Sequence, residues 1–294
     1  MKTFFTFANM SESIKTITEK AKQELNRIYS ESEIKLLIRV IFDHLMEWDY
    51  TKIVMNYYDP LPNDIYAKAT QIISRLASHE PIQYIIGYEY FMGNKFYVDN
   101  STLIPRPETE ELVKGVIEKQ HQQVNSILDI GTGSGIIAIS LAKHFSNAIV
   151  TACDISNNAI RMAQRNAQYN NATVNFIEMD ILNWGNYQIG KFDIIVSNPP
   201  YITEQEKREM EQQVLGHEPH TALFVPDSEP LLFYKAIAEF GTKHLNNGAE
   251  LWFEINRAYG KECCHMLQTM GYTNVELKKD QFDNDRVISA VWMS

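Results

Sequence analysis

The stretch Ser126-Ile127-Leu128-Asp129-Ile130-Gly131-Thr132-Gly133-Ser134-Gly135 decides the fold of this 294-residue chain. Its first half is a short apolar run typical of a buried strand, and residues 136–145 form an apolar segment long enough for a helix. Glycines between the two let the backbone approach a ligand at the amino terminus of that helix. A dinucleotide-binding turn spaces its glycines as G-x-G-x-x-G, whereas this chain alternates them and has the bulky Ile136 next. The stretch predicts a strand, a ligand-binding loop and a helix, with a dinucleotide site as the less favoured interpretation.

Short apolar runs alternate with helix-sized segments throughout the chain after Pro105. This alternation is typical of an α/β fold, in which helices cover both faces of a parallel sheet. The predicted strands are residues 126–130, 149–154, 174–180, 192–197, 249–255, 274–278 and 287–292. The predicted helices between the first five strands are residues 136–145, 158–169 and 231–244.

Acidic residues end the second and third predicted strands, at the same edge of the sheet as the glycines. Asp154 is positioned to accept ribose hydroxyls, as an acidic residue does in nucleoside-binding α/β folds, and capping of the next helix is the alternative. Asp180 is positioned to contact an adenine amino group, although an aspartate there is also a common turn residue. Ile155 and Ile181 follow these acids as further cofactor contacts, and Ile181 packs either on the adenine or in the core. Ligands in such sheets bind outside the carboxyl ends of the strands, so we expect a nucleoside there.

Asn198-Pro199-Pro200-Tyr201 directly follows the fourth predicted strand. The Asn198 side-chain oxygen and the Pro199 carbonyl can each accept one N–H of a planar NH2 group, while the prolines hold both acceptors rigid. The Tyr201 ring can cover the flat face of that group. This geometry suits methylation of an amide or an exocyclic amine, and a proline-rich loop after a strand is the alternative.

The amino-terminal part of the chain has a different pattern, because residues 13–79 carry apolar residues at helical spacing. Residues 84–88 and 95–98 are predicted to be short strands around the turn 92–94. We therefore divide the chain into a helical domain of residues 1–81, a β-hairpin connector of residues 82–104 and an α/β domain of residues 105–294.

Composition limits the possible partners and compartments. The net charge of −10 gives no electrostatic reason to expect a nucleic acid backbone as main partner. The three cysteines, Cys153, Cys263 and Cys264, form no disulfide framework and no metal-ligand spacing, which fits a reducing cytoplasm and no metal. Residues 1–8 are too short an apolar run for a leader peptide, and no segment approaches the roughly 20 apolar residues that cross a bilayer.

The alternating glycine motif led by Asp129 resembles the first motif of class I S-adenosylmethionine-dependent methyltransferases. Together with the Asn198–Tyr201 tetrapeptide it makes the chain similar to the HemK/PrmC family of protein-(glutamine-N5) methyltransferases. Further similar segments are Thr102-Leu103-Ile104-Pro105-Arg106-Pro107-Glu108-Thr109-Glu110, His217-Glu218-Pro219-His220-Thr221-Ala222-Leu223 and Asp283-Asn284-Asp285-Arg286.

The resemblance implies a Rossmann-like, seven-stranded sheet whose last strand is antiparallel, preceded by a small helical domain that holds the partner. It also implies transfer of a methyl group from S-adenosylmethionine, leaving S-adenosylhomocysteine, to the glutamine of the Gly-Gly-Gln loop of peptide-chain release factors. We expect a monomer that needs no metal, nucleic acid or membrane. The implied cofactor contacts are Asp129, Gly131, Thr132, Gly133, Ser134, Gly135, Asp154, Ile155, Asp180, Ile181 and Asn198, and the implied substrate contacts are Asn198, Pro199, Pro200, Tyr201, Arg106 and Glu108.

Methyl transfer from a sulfonium is an in-line displacement that requires alignment rather than a tuned base. Asn198, Pro199 and Tyr201 are therefore the predicted catalytic residues, and His217 and His220 are interpreted as loop residues. Arg106 is expected to pair with Glu108, Glu110 or a substrate backbone. An adenine-N6 or other nucleic acid amine methyltransferase is the alternative enzyme, because a flipped adenine presents the same NH2 group. A release-factor-binding protein without catalysis is the alternative from another class.

Overall fold

The computed structural model describes residues 12–119 and 123–293. The chain divides into two compact units, Met1–Ile86 and Gly87–Ser294. The division falls within the predicted connector of residues 82–104, and a separate connector stays a prediction. Residues 1–8, for which the absence of a leader is predicted, lie outside the described residues.

The first unit is built from helices, as predicted. Ser30 caps the second helix through a capping box with Glu33, in which each side chain accepts a hydrogen bond from the other residue's backbone N–H. The apolar face predicted for this helix, including Ile38 and Phe42, is buried in the core of the unit. The helices are α1 Ile14–Leu25, α2 Glu31–Met46, α3 Tyr50–Met55, α4 Asn63–Ala77 and α5 Ile82–Ile86.

The predicted strand at residues 84–88 is wrong, because residues up to Ile86 belong to helix α5. Its aromatic and β-branched residues favour a strand locally. The backbone N–H groups of Tyr84 and Ile85 donate instead to the carbonyl of Pro81, and Ile82 and Ile85 pack against the helical core. Tertiary packing thus overrides local propensity here. The hairpin itself is present in the second unit, as β1 Tyr88–Phe91 and β2 Asn94–Tyr97.

The second unit contains a seven-stranded sheet with the order β10-β11-β9-β6-β3-β4-β5. Neighbouring strands from β5 to β9 are parallel, and β11 is antiparallel to both β9 and β10, which confirms the predicted topology. The strands are β3 Ser126–Ile130, β4 Ile149–Asp154, β5 Asn175–Glu178, β6 Phe192–Ser197, β9 Leu245–Glu254, β10 Thr273–Lys279 and β11 Asp285–Val291.

Helices cover both faces of this sheet. Leu128 and Ile195 point into a core formed with α10 and α11, whereas Ile127 and Ile194 point into the opposite core with α6 and α7. The alternation follows from the period of two along a strand. The helices are α6 Pro107–Glu118, α7 Ile136–His144, α8 Asn157–Tyr169, α9 Gln212–His217, α10 Leu232–His244 and α11 Gly260–Thr269.

Strand β3 lies at the centre of the sheet, between β4 and β6. The chain order runs outward in opposite directions from this point, which makes it the switch point where such sheets bind ligands. A small parallel pair beyond β6 consists of β7 Ile202–Thr203 and β8 Phe224–Val225. Across residues 12–119 and 123–293, every helix is too short or too polar to traverse a bilayer.

Candidate active site

The glycine loop between β3 and α7 adopts the conformation that its sequence predicts. Gly131, Gly133 and Gly135 have φ values of +73°, +54° and +85°, a left-handed region that favours glycine. A Cβ at Gly135 would also lie 2.9 Å from Ile139 Cδ1 and 3.1 Å from Ala163 Cβ. The loop therefore needs glycine for backbone conformation at all three positions and for space at the third.

Asp129 lies beneath this loop and is fully buried. Its Oδ2 accepts hydrogen bonds from Thr132 Oγ1 at 2.6 Å and from the Ala138 backbone N–H at 3.1 Å. Burial raises the pKa of the Asp129 carboxyl to about 7. Asp129 is outside the cavity lining, and its predicted contact with a cofactor stays a prediction. It holds the loop to the start of α7 from below.

Asp154, at the end of β4, faces the glycine loop. Its Oδ2 accepts the Gly133 N–H and its Oδ1 accepts the Ser156 N–H, both at 2.9 Å. The side chain of Ser156 rather than Asp154 caps α8, by accepting the Ala159 N–H. Burial raises the pKa of the Asp154 carboxyl. With the Ile155 N–H as a third donor, the carboxylate still has acceptor capacity left, so it can bind a hydroxyl group of a ligand.

Asp180 and the two isoleucines lie on the same cavity wall. Asp180 caps a short 3₁₀ helix, Ile181–Asn186, because its carboxylate accepts the Leu182 N–H at 2.9 Å and Asn183 Nδ2 at 2.6 Å. Asp180 therefore caps a turn, as the alternative interpretation expected, and also lines the cavity. Ile181 is 8% exposed and also belongs to the core, whereas Ile155 is 59% exposed.

The carboxyl ends of β3, β4 and β6 open into a cavity of about 370 Å³, within the range of roughly 300–1,000 Å³ typical of small-molecule sites. Asn198, Pro199 and Pro200 line it together with residues of the glycine loop. In the described part of the chain, neither Asn198 Oδ1 nor the Pro199 carbonyl oxygen accepts a hydrogen bond. Two hydrogen-bond acceptors are thus free beside the cavity.

A second cavity of about 120 Å³ adjoins the first, and Asn198 and Pro199 line both. Tyr201 lines only the second cavity, together with Met210 and Val214 from the segment that follows. The Tyr201 hydroxyl donates to Glu254 Oε1 at 3.1 Å. The tetrapeptide therefore separates a larger ligand cavity from a smaller, mostly apolar one.

Thr109, which also lines the larger cavity, and the buried Glu254 hold the tetrapeptide by hydrogen bonds. Thr109 Oγ1, in the first turn of α6, donates to Glu254 Oε2 at 2.7 Å. Asn198 Nδ2 donates to the same Thr109 oxygen at 3.2 Å. Glu254 is 1% exposed at the end of β9, and its burial raises the pKa of its carboxyl. One buried carboxylate is thus bonded directly to Tyr201 and, through Thr109, to Asn198.

Arg106 has a partner that the sequence interpretation did not consider. Its guanidinium lies 2.5 Å from Glu218 Oε1, and Glu218 Oε2 also accepts the Ile104 N–H at 3.2 Å. Glu110 instead pairs with Lys114 and accepts the Met92 N–H. The expected pairing of Arg106 with Glu108 or Glu110 is therefore wrong, although Arg106 lines both cavities.

Glu108 and the two loop histidines are near lining residues in sequence but are not themselves part of the described cavity walls. The linings of both cavities, as far as the structure describes the chain, contain none of Glu108, His217 and His220. His220 Nε2 is 2.9 Å from the Leu215 carbonyl oxygen, and its ring contacts Phe224 edge-on. These contacts fit the interpretation of His220 as a residue that shapes the loop.

Curated relatives share most of the length of this chain. A release factor glutamine methyltransferase of Flavobacterium psychrophilum is 44% identical over 280 residues, which cover 94% of this chain and 98% of the relative. A release factor glutamine methyltransferase of Bacteroides thetaiotaomicron is 45% identical over 274 residues, with 93% and 98% covered. The chain belongs to the release factor glutamine methyltransferase family. The resemblance inferred from the motifs is confirmed.

Family models and a solved structure agree with this membership. Residues 109–223 match the model described as Methyltransferase small domain, and residues 16–87 match PrmC N-terminal domain. A methyltransferase crystal structure from Pyrococcus furiosus superimposes with a TM-score of 0.51 at 20% identity, covering 69% of this chain and 91% of that chain. This last similarity concerns the fold alone. The α/β class predicted from the strand pattern is thus confirmed.

Four polar residues around the cavity of this family member were missed from sequence: Thr109, Asn166, Glu218 and Glu254. Glu254 had a signal, since it is a carboxylate directly after the apolar residues 251–253, at the ligand edge of the sheet. Asn166 had one too, as a polar residue among the buried positions of α8. Asn166 Nδ2 donates to the carbonyls of Tyr97 and Ser134 at 2.9 and 2.8 Å, and its Oδ1 accepts the Tyr97 N–H.

Proposed function

We propose that this protein transfers the methyl group of S-adenosylmethionine to the side-chain amide nitrogen, N5, of the glutamine in the Gly-Gly-Gln loop of peptide-chain release factors. The observation that carries the proposal is the pair of free acceptors, Asn198 Oδ1 and the Pro199 carbonyl, beside the cavity. A primary amide has two N–H donors in one plane, which matches two acceptors held by a proline-rich backbone. Family membership supports a release factor as the protein that presents this amide.

The chain's own residues fit S-adenosylmethionine. The left-handed Gly131 and Gly133 line the cavity with backbone, and we assign Thr132 and Ser134 to the same binding loop. Gly135 is buried outside the cavity lining, and we assign it to the turn of this loop rather than to its ligand surface. We assign Asp154 to the ribose hydroxyls, because its partly satisfied carboxylate lines the cavity. Asp180, Ile155 and Ile181 are assigned to the adenine end. When bound, this cofactor supplies an electrophilic methyl group on a positively charged sulfur.

Asn198 and Pro199 are proposed to activate the substrate amide. An amide nitrogen is a poor nucleophile because its lone pair is delocalised into the carbonyl. Acceptors on both hydrogens increase the electron density on nitrogen and stabilise the positive charge that develops as the methyl group arrives. A closed, apolar surrounding strengthens both interactions, since water competes less for the same hydrogens.

The smaller cavity is proposed to take the substrate side of the reaction. Tyr201, from the smaller cavity, and Pro200, from the larger one, are assigned to the glutamine side chain where the two cavities adjoin. Arg106 and Glu108 are assigned to the protein that carries it. The assignment of Arg106 is supported by its place in the lining of both cavities, whereas the assignment of Glu108 depends on the family resemblance alone. The first unit, which matches the PrmC N-terminal domain model, is proposed to bind the release factor.

A labelling experiment tests the proposed reaction. The purified protein and methyl-labelled S-adenosylmethionine are incubated with a release factor, with its Gln-to-Ala loop variant or with total RNA. We expect label in the intact release factor alone. Equal labelling of the Gln-to-Ala variant, or labelling of RNA only, would contradict the proposal and favour another acceptor.

We further propose a cytoplasmic monomer that needs no nucleic acid, membrane or metal. The net charge of −10 and the three cysteines without a disulfide framework support this assignment. Light scattering of the purified protein tests whether it is a monomer. The labelling assay repeated with a chelator tests whether it needs a metal. A stable dimer, or loss of activity in chelator, would require its revision.

A further inference from the structure

Asn198, Thr109 and Glu254 form a chain of hydrogen bonds that joins three separate parts of the second unit. The loop after β6 supplies Asn198, the first turn of α6 supplies Thr109, and the end of β9 supplies Glu254. The two bonds measure 3.2 Å and 2.7 Å and share the Thr109 hydroxyl oxygen. The residues are 89 and 145 positions from Thr109 along the chain, so only the folded state brings them together.

The direction of these bonds follows from donor and acceptor chemistry. An ionised carboxylate only accepts, and a threonine hydroxyl has one hydrogen. That hydrogen must point to Glu254, which leaves only lone pairs of Thr109 to face Asn198. The Asn198 side chain must therefore turn its NH2 group to Thr109. Its Oδ1, at the other end of the planar amide, is then free.

This orientation matters because the two ends of an asparagine amide are nearly equal in shape but opposite in polarity. With Oδ1 free, Asn198 can accept an N–H from a substrate amide. After a flip of about 180°, the NH2 group of Asn198 would meet the NH2 group of the substrate, and two donors form no hydrogen bond. Binding of the amide thus depends on which end of Asn198 is free.

We propose that Glu254, acting through Thr109, is a positioning residue that fixes the polarity of the Asn198 amide. This inference rests on the proposed role of Asn198 as an acceptor for the substrate amide. Glu254 belongs to neither described cavity lining, so it acts on Asn198 rather than on the substrate. Its charge, not only its shape, is what the function requires.

The second carboxylate oxygen of Glu254 positions Tyr201, at the other end of the tetrapeptide. Tyr201 donates its hydroxyl hydrogen to Oε1 at 3.1 Å while Thr109 donates to Oε2. A single buried carboxylate therefore anchors both Asn198 and Tyr201 relative to β9. A group that served packing alone would not need two acceptor oxygens directed to the two ends of one motif.

A double-mutant cycle between Thr109 and Asn198 tests the proposal. Thr109→Val removes the hydroxyl and retains the branched shape, whereas Thr109→Ser retains the hydroxyl. For Thr109→Val we expect kcat to fall about 10- to 100-fold, by analogy with loss of a positioned transition-state acceptor. Thr109→Ser should stay within about threefold of wild type, because its hydroxyl can make both bonds. Cofactor affinity should change little in either.

The double variant distinguishes positioning from a general structural role. If Thr109 acts through Asn198, Asn198→Ala combined with Thr109→Val should lose no more activity than Asn198→Ala alone. Full multiplication of the two effects would overturn the proposal. So would wild-type kcat in Thr109→Val when Asn198→Ala is impaired. Near-wild-type activity of Asn198→Ala would instead contradict the proposed function.

Two controls guard against loss of folding. Tyr272→Phe removes another buried hydroxyl of the second unit, one that donates to the Ala238 carbonyl and lies in neither cavity lining, and should leave kcat unchanged. Thr109→Ala provides a second test if the valine does not fit. Thermal unfolding of each variant is measured alongside, and only variants that unfold cooperatively are compared. A Thr109→Ala enzyme with wild-type kcat would overturn the proposal as well.

Discussion

The carboxylate of Glu218 lies 2.5 Å from a guanidinium nitrogen of Arg106, a residue 112 positions earlier in the chain. Glu218 follows α9, in the segment after the Asn198–Tyr201 tetrapeptide, and Arg106 directly precedes α6. Because the Glu218 side chain is almost fully buried, the pair is shielded from solvent on one side. It ties the segment that borders the smaller cavity to the helix that carries Thr109.

Glu218→Gln tests this tie. The amide retains the shape but loses the charge, so the bond to Arg106 is weakened while the Ile104 N–H keeps an acceptor. We expect the free energy of unfolding to fall by about 1–3 kcal/mol, as for loss of a hydrogen bond between charged groups. Urea unfolding measures this, and limited proteolysis should show faster cleavage between β6 and α10.

Glu204→Gln is the matched control, because Glu204 forms an exposed pair with Lys207 in the same segment. Exposed pairs contribute about 0–1 kcal/mol, so little change is expected. Equal destabilisation by the two substitutions would show that burial of Glu218 adds nothing.

Asn198→Ala should reduce turnover by something on the order of 10- to 1,000-fold, because it removes one of two acceptors for the substrate amide. Cofactor affinity should fall less, since the glycine loop and Asp154 remain. Steady-state rates and calorimetric titration with S-adenosylmethionine measure the two effects. The control Asn147→Ala changes an exposed asparagine in the turn before β4. A turnover near wild type in Asn198→Ala would remove the basis of its proposed role.

Asp154→Asn should weaken cofactor binding by about 10- to 100-fold, the equivalent of losing one or two hydrogen bonds to a charged group. The asparagine has one acceptor oxygen, which cannot serve Gly133, Ser156 and a ligand hydroxyl together. Turnover at saturating cofactor should change less than affinity does. Asp64→Asn, in the first unit, serves as a control of equal charge change. Unchanged affinity in Asp154→Asn would argue against a ribose contact.

Gly135→Ala should destabilise the protein by about 1–3 kcal/mol, because it adds backbone strain at positive φ. Its Cβ would also press on Ile139 and on the Ala163 backbone of α8. Thermal unfolding with and without cofactor measures the effect. Gly190→Ala, where an added Cβ meets nothing within 4 Å, should leave stability almost unchanged. A Gly135→Ala protein as stable as Gly190→Ala would show that the loop relaxes freely.

The activity should fall on mild acidification as Glu254 becomes protonated. Burial raises the pKa of Glu254, while the hydrogen bonds from Thr109 and Tyr201 and the charge of Arg286 lower it; Glu108 and Tyr234 are its other titratable neighbours. Protonation therefore begins above the ordinary glutamate pKa of about 4.3. A protonated carboxyl can donate to the threonine hydroxyl and thereby allows the asparagine amide to flip.

The pH dependence of stability has the opposite sign to that of activity: the contribution of Glu254 to the free energy of unfolding is larger at low pH. A carboxyl whose pKa is raised by folding is favoured in its protonated form, so its contribution to stability declines as pH rises through the raised pKa. The kcat profile of Glu254→Gln, which cannot ionise there, should lack the acidic limb of the wild type. Asp129 and Asp154 also have raised pKa values and titrate in both proteins, so the difference between the profiles isolates Glu254. Superimposable profiles would exclude this titration as the cause.

Sequence reasoning located the strands of the sheet well where strong local signals bound them. Strands β3, β4 and β6 end at the predicted residues, because each is an apolar run followed by glycine, by a capping serine or by Asn-Pro. It failed at residues 84–86, where a strand-like composition becomes helical through contacts with a distant core. Local propensity decides an element only where packing does not oppose it.

The candidate site divides in the same way. The glycine loop, Asp154 and the tetrapeptide are contiguous motifs, and their placement at one sheet edge follows from strand order. The partners of Arg106 and Asn198 could not be predicted, because each bond joins residues about 90 or more positions apart. Such pairs depend on side-chain direction and helix packing, and a short stretch of sequence predicts neither.

The buried carboxamide of Asn166 links two segments that are far apart along the chain. It bonds to the backbone of Tyr97 in β2 and to Ser134 in the glycine loop at the same time. Neither segment can shift by an ångström or two without breaking these bonds or carrying the other with it, since hydrogen bonds weaken steeply with distance. The hairpin that begins the second unit thus restrains the position of the glycine loop at the ligand cavity, although it lies more than thirty residues earlier in the sequence.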